Sequence, residues 1–266
     1  MTDIGREKMS FDMGRVVDRT FGVLSANIGV FAVLGLLLSV LPEAGLAWVQ
    51  TRYLTPDPAN PTGLYMTGTF WLFTLGSALV GIILQCLMQA SVIHTAVADL
   101  KGRSAGTGEA LSVAFANLVP LFLLALLMAL GIFAGLILLI VPGIFLAVAW
   151  MVAVPAMVVE KKSVVESLER SWRLTENNRW WLVLITLVFL LGVWFVSAVV
   201  VGIGIAVLGA VTGGFEQAAA WATIIIAPII TAVSALIGSV GVAAIYFELR
   251  SIKEGVGVDD LARVFE

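Results

Sequence analysis

The chain has 266 residues, of which 60% are hydrophobic and 12% charged, and its mean hydropathy is +1.05. Too little polar surface remains for a soluble domain of this size, so the composition specifies a polytopic membrane protein. A net charge of −3 without clustered Lys and Arg excludes a nucleic-acid partner. A single cysteine, Cys86, excludes an internal disulfide and reads as a packing residue in an apolar run.

The N-terminus mixes acids and bases before a long apolar segment, which predicts an uncleaved signal anchor rather than a signal peptide. Residues 10–26 carry Phe11, Val16 or Val17, Phe21 and Leu24 at helical spacing, the pattern of an amphipathic helix lying in the interface. Asn27 to about Tyr53 reads as a first span interrupted at Pro42-Glu43, followed by a polar, Pro-rich loop. Thr69–Val97 is a second span with a small and polar face, Thr74, Ala78, Gly81, Gln85, Gln89, Val92 and Ala96, expected to look into the bundle. Leu118–Ile140 is a third, with Gly131 and Gly135 in GxxxG register, and Pro142-Gly143 is expected to turn the chain back. Ile144–Val159 is a fourth, kinked at Pro155. Glu160–Asn178 is an amphipathic helix that sets Val164 or Val165, Leu168, Trp172 and Leu174 against Glu166, Glu169, Arg170 and Arg173. Trp180 to about Leu208 and Ala218 to about Leu249 are the fifth and sixth spans, the last bent at Pro228.

Lys and Arg number four in the N-terminal region, two in the 99–117 connection, five in the 160–179 connection and three in the tail, against Arg52 alone on the other side. This asymmetry places both termini in the cytoplasm. Trp48, Tyr53, Tyr65, Trp71 and Trp221 then form an outer aromatic belt, and Trp172, Trp180, Trp181 and Tyr246 an inner one.

At an offset of 151 residues, Asp18-Arg19-Thr20-Phe21 aligns with Glu169-Arg170-Ser171-Trp172, and Asn27 with Asn178. Glu109, Leu111, Ala114 and Phe115 form a fainter third copy. Each copy precedes two spans, which predicts one all-α membrane domain over 1–266 built from three repeats, 10–100, 106–160 and 163–250. Every repeat is an interfacial elbow followed by a transmembrane hairpin. The elbow aromatics are Phe21, Phe115, Trp172, Trp180 and Trp181.

Pro142-Gly143-Ile144, Pro155, Glu160, Ser167-Leu168, the run Ser171-Trp172-Arg173-Leu174-Thr175, and Asn178 resemble the signature of one family. It is the membrane domain of bacterial glycerophosphoryl diester phosphodiesterases and its stand-alone relatives. The resemblance implies a six-helix membrane architecture associated with lipids, in the bacterial inner membrane. Six spans consume the chain, so a stand-alone domain without the catalytic barrel is expected.

The residues agree with a non-enzymatic reading. Phosphodiester hydrolysis needs an acid/base pair and metal-binding carboxylates, whereas His94 is the single histidine and has no acidic cluster beside it in sequence. There is no GxSxG elbow and no phosphate-binding loop, so no catalytic residue, metal or cofactor is expected. Intramembrane polar and mid-span aromatic residues are the candidate cavity or ligand groove: Glu43, Gln85, Gln89, Trp150, Trp194, Thr231 and Ser234. Gln85 and Gln89 share a face, as either a polar lining or interhelical hydrogen-bond glue. Glu248 and Arg250 are expected to pair locally.

Three functions compete. A protein that binds or moves a lipid or another amphiphile leads. A scaffold for a membrane partner or a homo-oligomer follows, and a channel or secondary transporter is third, weakened by the scarcity of intramembrane charge.

Overall fold

The computed structural model describes residues 11–54, 59, 60 and 62–254. Arg6, Lys8 and Arg263 of the charge count, part of the Pro-rich loop and the end of the tail lie outside the described residues.

Among the described residues twelve α-helices follow in order: α1 (Met13–Ala26), α2 (Ile28–Gly35), α3 (Leu41–Tyr53), α4 (Gly68–Leu100), α5 (Thr107–Ala116), α6 (Leu118–Leu138), α7 (Ile140–Ala149), α8 (Ala153–Glu160), α9 (Val164–Thr175), α10 (Arg179–Thr212), α11 (Phe215–Trp221) and α12 (Ala227–Glu254). Six stretches of the described residues are long and apolar enough to cross a membrane: Ile28–Tyr53, Gly68–Leu100, Leu118–Leu138, Ile140–Glu160, Arg179–Val211 and Phe215–Glu254. α8 and the carboxyl-terminal halves of α4 and α12 pack together, and α1, α5 and α9 pack around them. Most of the ion pairs gather there, so this is the charged end of the bundle.

Proline explains the irregularities, but not always where the sequence placed them. The first span is not interrupted at Pro42. A π-turn, Leu36–Val40, precedes the proline, and the Leu41 N–H donates to the Leu36 carbonyl, so the helix continues into α3. The sixth span repeats the device: a π-turn over Ala222–Ile226, an Ala227 N–H bonded to the Ala222 carbonyl, then Pro228. A wider turn makes room for a ring that would otherwise strike the carbonyl four residues back. The first π-turn packs on α12, and α3 on the second.

The fourth span breaks outright, at Trp150–Val152 rather than at Pro155. Pro155 occupies the first turn of α8, where its missing N–H costs nothing, and the α7 helix stops before reaching it. Pro142-Gly143 likewise does not form the turn. The chain reverses at Leu139, which is extended (φ −165°, ψ 150°), and Pro142 sits in the first turn of α7. Gly143 serves close packing instead: a Cβ on Gly135 would lie 3.0 Å from its backbone, so α6 and α7 touch main chain to main chain.

The polar face of α4 is buried in its second half alone. Cys86 to Ala98 supplies every buried residue of the helix, whereas Ala78, Gly81 and Gln85 are exposed and Gln89 is half-buried. The buried face of α9 also differs from the expected one. It consists of Ser167, Leu168, Ser171, Leu174 and Thr175, while Val165 and Trp172 are exposed.

Candidate functional site

A cavity of about 440 Å³ opens between α10 on one side and α1, α4 and α12 on the other. Val16, Val17, Thr20 and Phe21 of α1, Gln85 and Gln89 of α4, and Ile185, Thr186, Val188 and Phe189 of α10 line it. Ala235, Gly238, Ser239, Gly241, Val242 and Ile245 are among its α12 residues, and Met151 of the broken fourth span completes the wall. Gly238 and Gly241 set its shape, since the Phe189 ring lies about 3.5 Å from where a Gly238 Cβ would be and the Thr20 hydroxyl 4.0 Å from a Gly241 Cβ. Val17, Phe21 and Val188 on the rim are exposed and apolar, so the cleft opens sideways between α1 and α10.

Two groups in this cleft stand out. Thr20 and Thr186 donate to carbonyls one turn back on their own helices, at 2.7 Å each. The Gln85 and Gln89 carboxamides make no hydrogen bond to any described residue, although each carries two donors and an acceptor. Counted back from Leu100, they lie about 22 and 16 Å along α4, well within an apolar span.

Below the cleft, at the charged end, two ionic knots hold its walls. Glu248, 1% exposed, accepts from Arg15 Nε at 3.0 Å, and from Arg15 Nη2 and Arg19 Nη1, so α1 is pinned to α12. The hydrogen bond to Glu248 raises the Arg15 guanidinium above its ordinary value against the opposing effect of burial. Glu248 does not pair with Arg250 as expected, because residues two apart point to different sides of a helix. Arg250 bonds Glu254 at 2.8 Å instead. In the second knot, Glu160 accepts from the Tyr246 hydroxyl at 2.7 Å and from Arg170 Nε at 2.9 Å, and Arg170 also bonds Glu254. Burial acts to lower the Arg170 pKa, but the bonds to Glu254 and Glu160 outweigh it and the net shift is upward. This knot joins α8, α9 and α12.

The break in the fourth span is held from α9. The Ser171 hydroxyl donates to the Ala149 carbonyl at 2.8 Å and accepts from the Val152 N–H at 3.2 Å. Thr175 adds a bond to Ala149 O at 3.3 Å. Backbone groups freed inside a span need internal partners, and these two buried hydroxyls provide them. Asn178 then leads directly into α10 (φ −114°, ψ 6°), as Asn27 leads into α2 (−115°, 21°) and Asn117 into α6 (−105°, 9°). Asn27 and Asn117 also donate from Nδ2 to the carbonyl four residues back, at 3.0 and 2.8 Å.

Of the residues singled out in the sequence, Gln85, Gln89 and Phe21 meet in the cleft. The others stand apart. Glu43 is half-buried on α3 and accepts from the Ser39 hydroxyl at 2.9 Å. The Trp150 ring lies over Gly131, where a Cβ would come within 2.5 Å of it, so one glycine of the GxxxG pair seats a ring and the other seats Gly143. Trp194 is 71% exposed on the outside of α10. Thr231 is exposed and bonds its own helix at Ala227, and Ser234 is half-buried; neither lines the cleft. Phe115, Trp180 and Trp181 are exposed, whereas Trp172 packs edge-on against Phe145 and stacks with the Arg179 guanidinium at 4.3 Å.

The sequence reading missed the partners of Glu248 and of His94. His94 Nε2 lies 3.0 Å from Glu109, which also pairs with Arg103 at 2.9 Å, and these contacts hold the Glu109 carboxyl below its ordinary range. The glycine-containing connection from α4 to α5 brings them together, and no helical spacing signals it. Among the described residues, no group of three His, Cys, Asp or Glu side chains is placed to hold a metal ion.

Residues 115–255, more than half of the chain, match the family described as the membrane domain of glycerophosphoryl diester phosphodiesterase. The chain belongs to this family. The match begins at the end of α5 and takes in α6 to α12, including the Ser171 clamp and the Glu160 knot. A UPF0259 membrane protein of Photorhabdus laumondii is 28% identical over 135 residues, 51% of this chain and 50% of that protein. The chain thus spans about half the length of the curated relative it matches. No solved structure matches.

Proposed function

We infer that this family member is an inner-membrane protein that binds a lipid or another amphiphile in the cleft between α10 and α12, and holds or moves it without covalent chemistry. The carrying observation is the pair of unpartnered carboxamides, Gln85 and Gln89, in a sideways-open cavity with mostly apolar walls. Polar groups at that depth need partners, and a molecule with ester or phosphodiester oxygens on an apolar body supplies acceptors for amide donors while its chains fill the rest. The excess of Lys and Arg at the charged end supports a cytoplasmic placement of that end and of both termini. The shared backbone conformation of Asn27, Asn117 and Asn178 supports a three-fold repeat of elbow and span pair.

The test is purification in lipid nanodiscs followed by extraction and mass spectrometry. Wild-type protein retains a defined lipid beyond the bulk composition, and Gln85→Leu/Gln89→Leu loses it while remaining folded by circular dichroism. A wild type that retains nothing beyond bulk, or a double variant that retains the same lipid, defeats the reading. A stoichiometric protein partner in place of lipid moves it to a scaffold.

A further inference from the structure

A second cavity, of about 810 Å³, lies at the charged end between the junction of α5 with α6 and the linker from α8 to α9. It shares no lining residue with the cleft. One wall is polar and cationic. Lys161 and Lys162 line it from the linker, and Ser112 and Asn117 from the facing elbow. The other wall is apolar and belongs to a span: Val119 and Leu123 of α6 are both exposed on the bundle surface, so the groove runs from the linker onto the outer face of that helix.

The charges around it do not balance. Glu160 lies 3.6 Å from Lys162 but is already bonded by Arg170 and Tyr246. Glu166 turns to the Ser163 N–H and hydroxyl, at 2.9 and 2.8 Å, and these bonds, with a smaller contribution from the Lys162 charge, lower its pKa. Glu109 is taken by His94 and Arg103. Lys161 has no ion pair or hydrogen bond to any described residue. It also occupies the left-handed region (φ 52°, ψ 40°) at the end of α8, where glycine or asparagine is preferred and another residue costs roughly 1 kcal/mol. Folding alone favours glycine here, and the sequence keeps a second ammonium group instead.

We propose that this groove binds an anionic phospholipid of the leaflet at the charged end, its phosphate on Lys161 and Lys162 and one acyl chain along Val119 and Leu123. The separation of functions follows from the geometry. A cationic edge meets an apolar wall that faces lipid, the order of charge and hydrocarbon in such a lipid. The proposal rests on the reading above for membrane placement alone and does not need the cleft to hold lipid.

Full-length protein, delipidated in neutral detergent, is titrated with phosphatidylglycerol and with phosphatidylcholine and followed by native mass spectrometry. Wild type prefers phosphatidylglycerol. Each lysine contributes about fivefold, the scale of one basic side chain at an anionic surface, so Lys161→Gln/Lys162→Gln loses the preference. Lys161→Gly separates binding from folding: it relieves the backbone and raises the melting temperature, yet weakens phosphatidylglycerol binding about fivefold. Gln85→Leu/Gln89→Leu leaves the preference unchanged, so failure of the cleft and failure of the groove are distinguishable. Equal binding of the two lipids by wild type, an undiminished preference in the lysine variants, or full displacement by inorganic phosphate overturns the proposal.

Discussion

The two helices that face each other across the cleft are held very differently. α12 is buried over much of its length, at Ala232, Val240, Ala243, Ala244, Ile245, Tyr246 and Leu249, and is tied at its end to α1, α8 and α9 through Glu248, Tyr246 and Glu254. α10, at 34 residues the longest helix, has one buried hydrophobic residue, Leu182, in its first turn. Beyond it the helix touches the molecule mainly through α7, α11 and the second π-turn. One wall of the cleft is therefore fixed and the other is held at its ends. On the proposed lipid-binding reading, a site with one weakly held wall would admit a bulky ligand from the side without disturbing the core, because opening costs contacts that lipid replaces in kind.

Substitutions of like chemistry on the two helices test this contrast. Leu249→Ala on α12, where the side chain is fully buried, is expected to cost about 2 kcal/mol, the low end for buried leucines because hydrocarbon solvates the alternative. It is read as a fall in melting temperature in detergent. Ser171→Ala removes the group that satisfies both Ala149 O and Val152 N beside the cleft residue Met151, and is expected to cost about 1–2 kcal/mol by the same measurement. Leu190→Ala on α10, 57% exposed, is expected to change stability by less than about 0.5 kcal/mol. A fall at Leu190 equal to that at Leu249 would mean that α10 is held as firmly as α12, and the contrast fails.

The six spans are legible in the sequence because hydropathy over twenty residues depends on composition alone, and all six apolar stretches appear. The family signature is legible for the same kind of reason: Ser171, Thr175 and Glu160 lie within a short run whose spacing the structure preserves. Half of the cleft is legible too. Gln85 and Gln89 are conspicuous in an apolar span, but the α10 residues across the cleft, Ile185, Thr186, Val188 and Phe189, are ordinary for a span. The partners of Glu248 are 233 and 229 residues away, and nothing local marks them. A mid-span indole is unusual enough to suggest a groove at Trp150, but the sign of its actual seat is Gly131, visible in the GxxxG register. Pro42 and Pro228 mark irregular turns but not their form, whereas Pro142 and Pro155 sit in the first turns of helices and mark neither the reversal nor the break. At the break in the fourth span the freed backbone is received by the Ser171 and Thr175 hydroxyls, which come from another helix and are not marked by the proline.

The paired π-turns at Leu36–Val40 and Ala222–Ile226 carry one more consequence. Each is equivalent to one residue inserted into an α-helix, so the helical phase slips by about 100° as the chain passes through it. A stripe of side chains drawn on a uniform wheel along the first or sixth span is displaced by that angle beyond the turn. Deleting one residue from either turn would restore the phase and rotate everything beyond it, so length there is as much a part of the specification as residue identity.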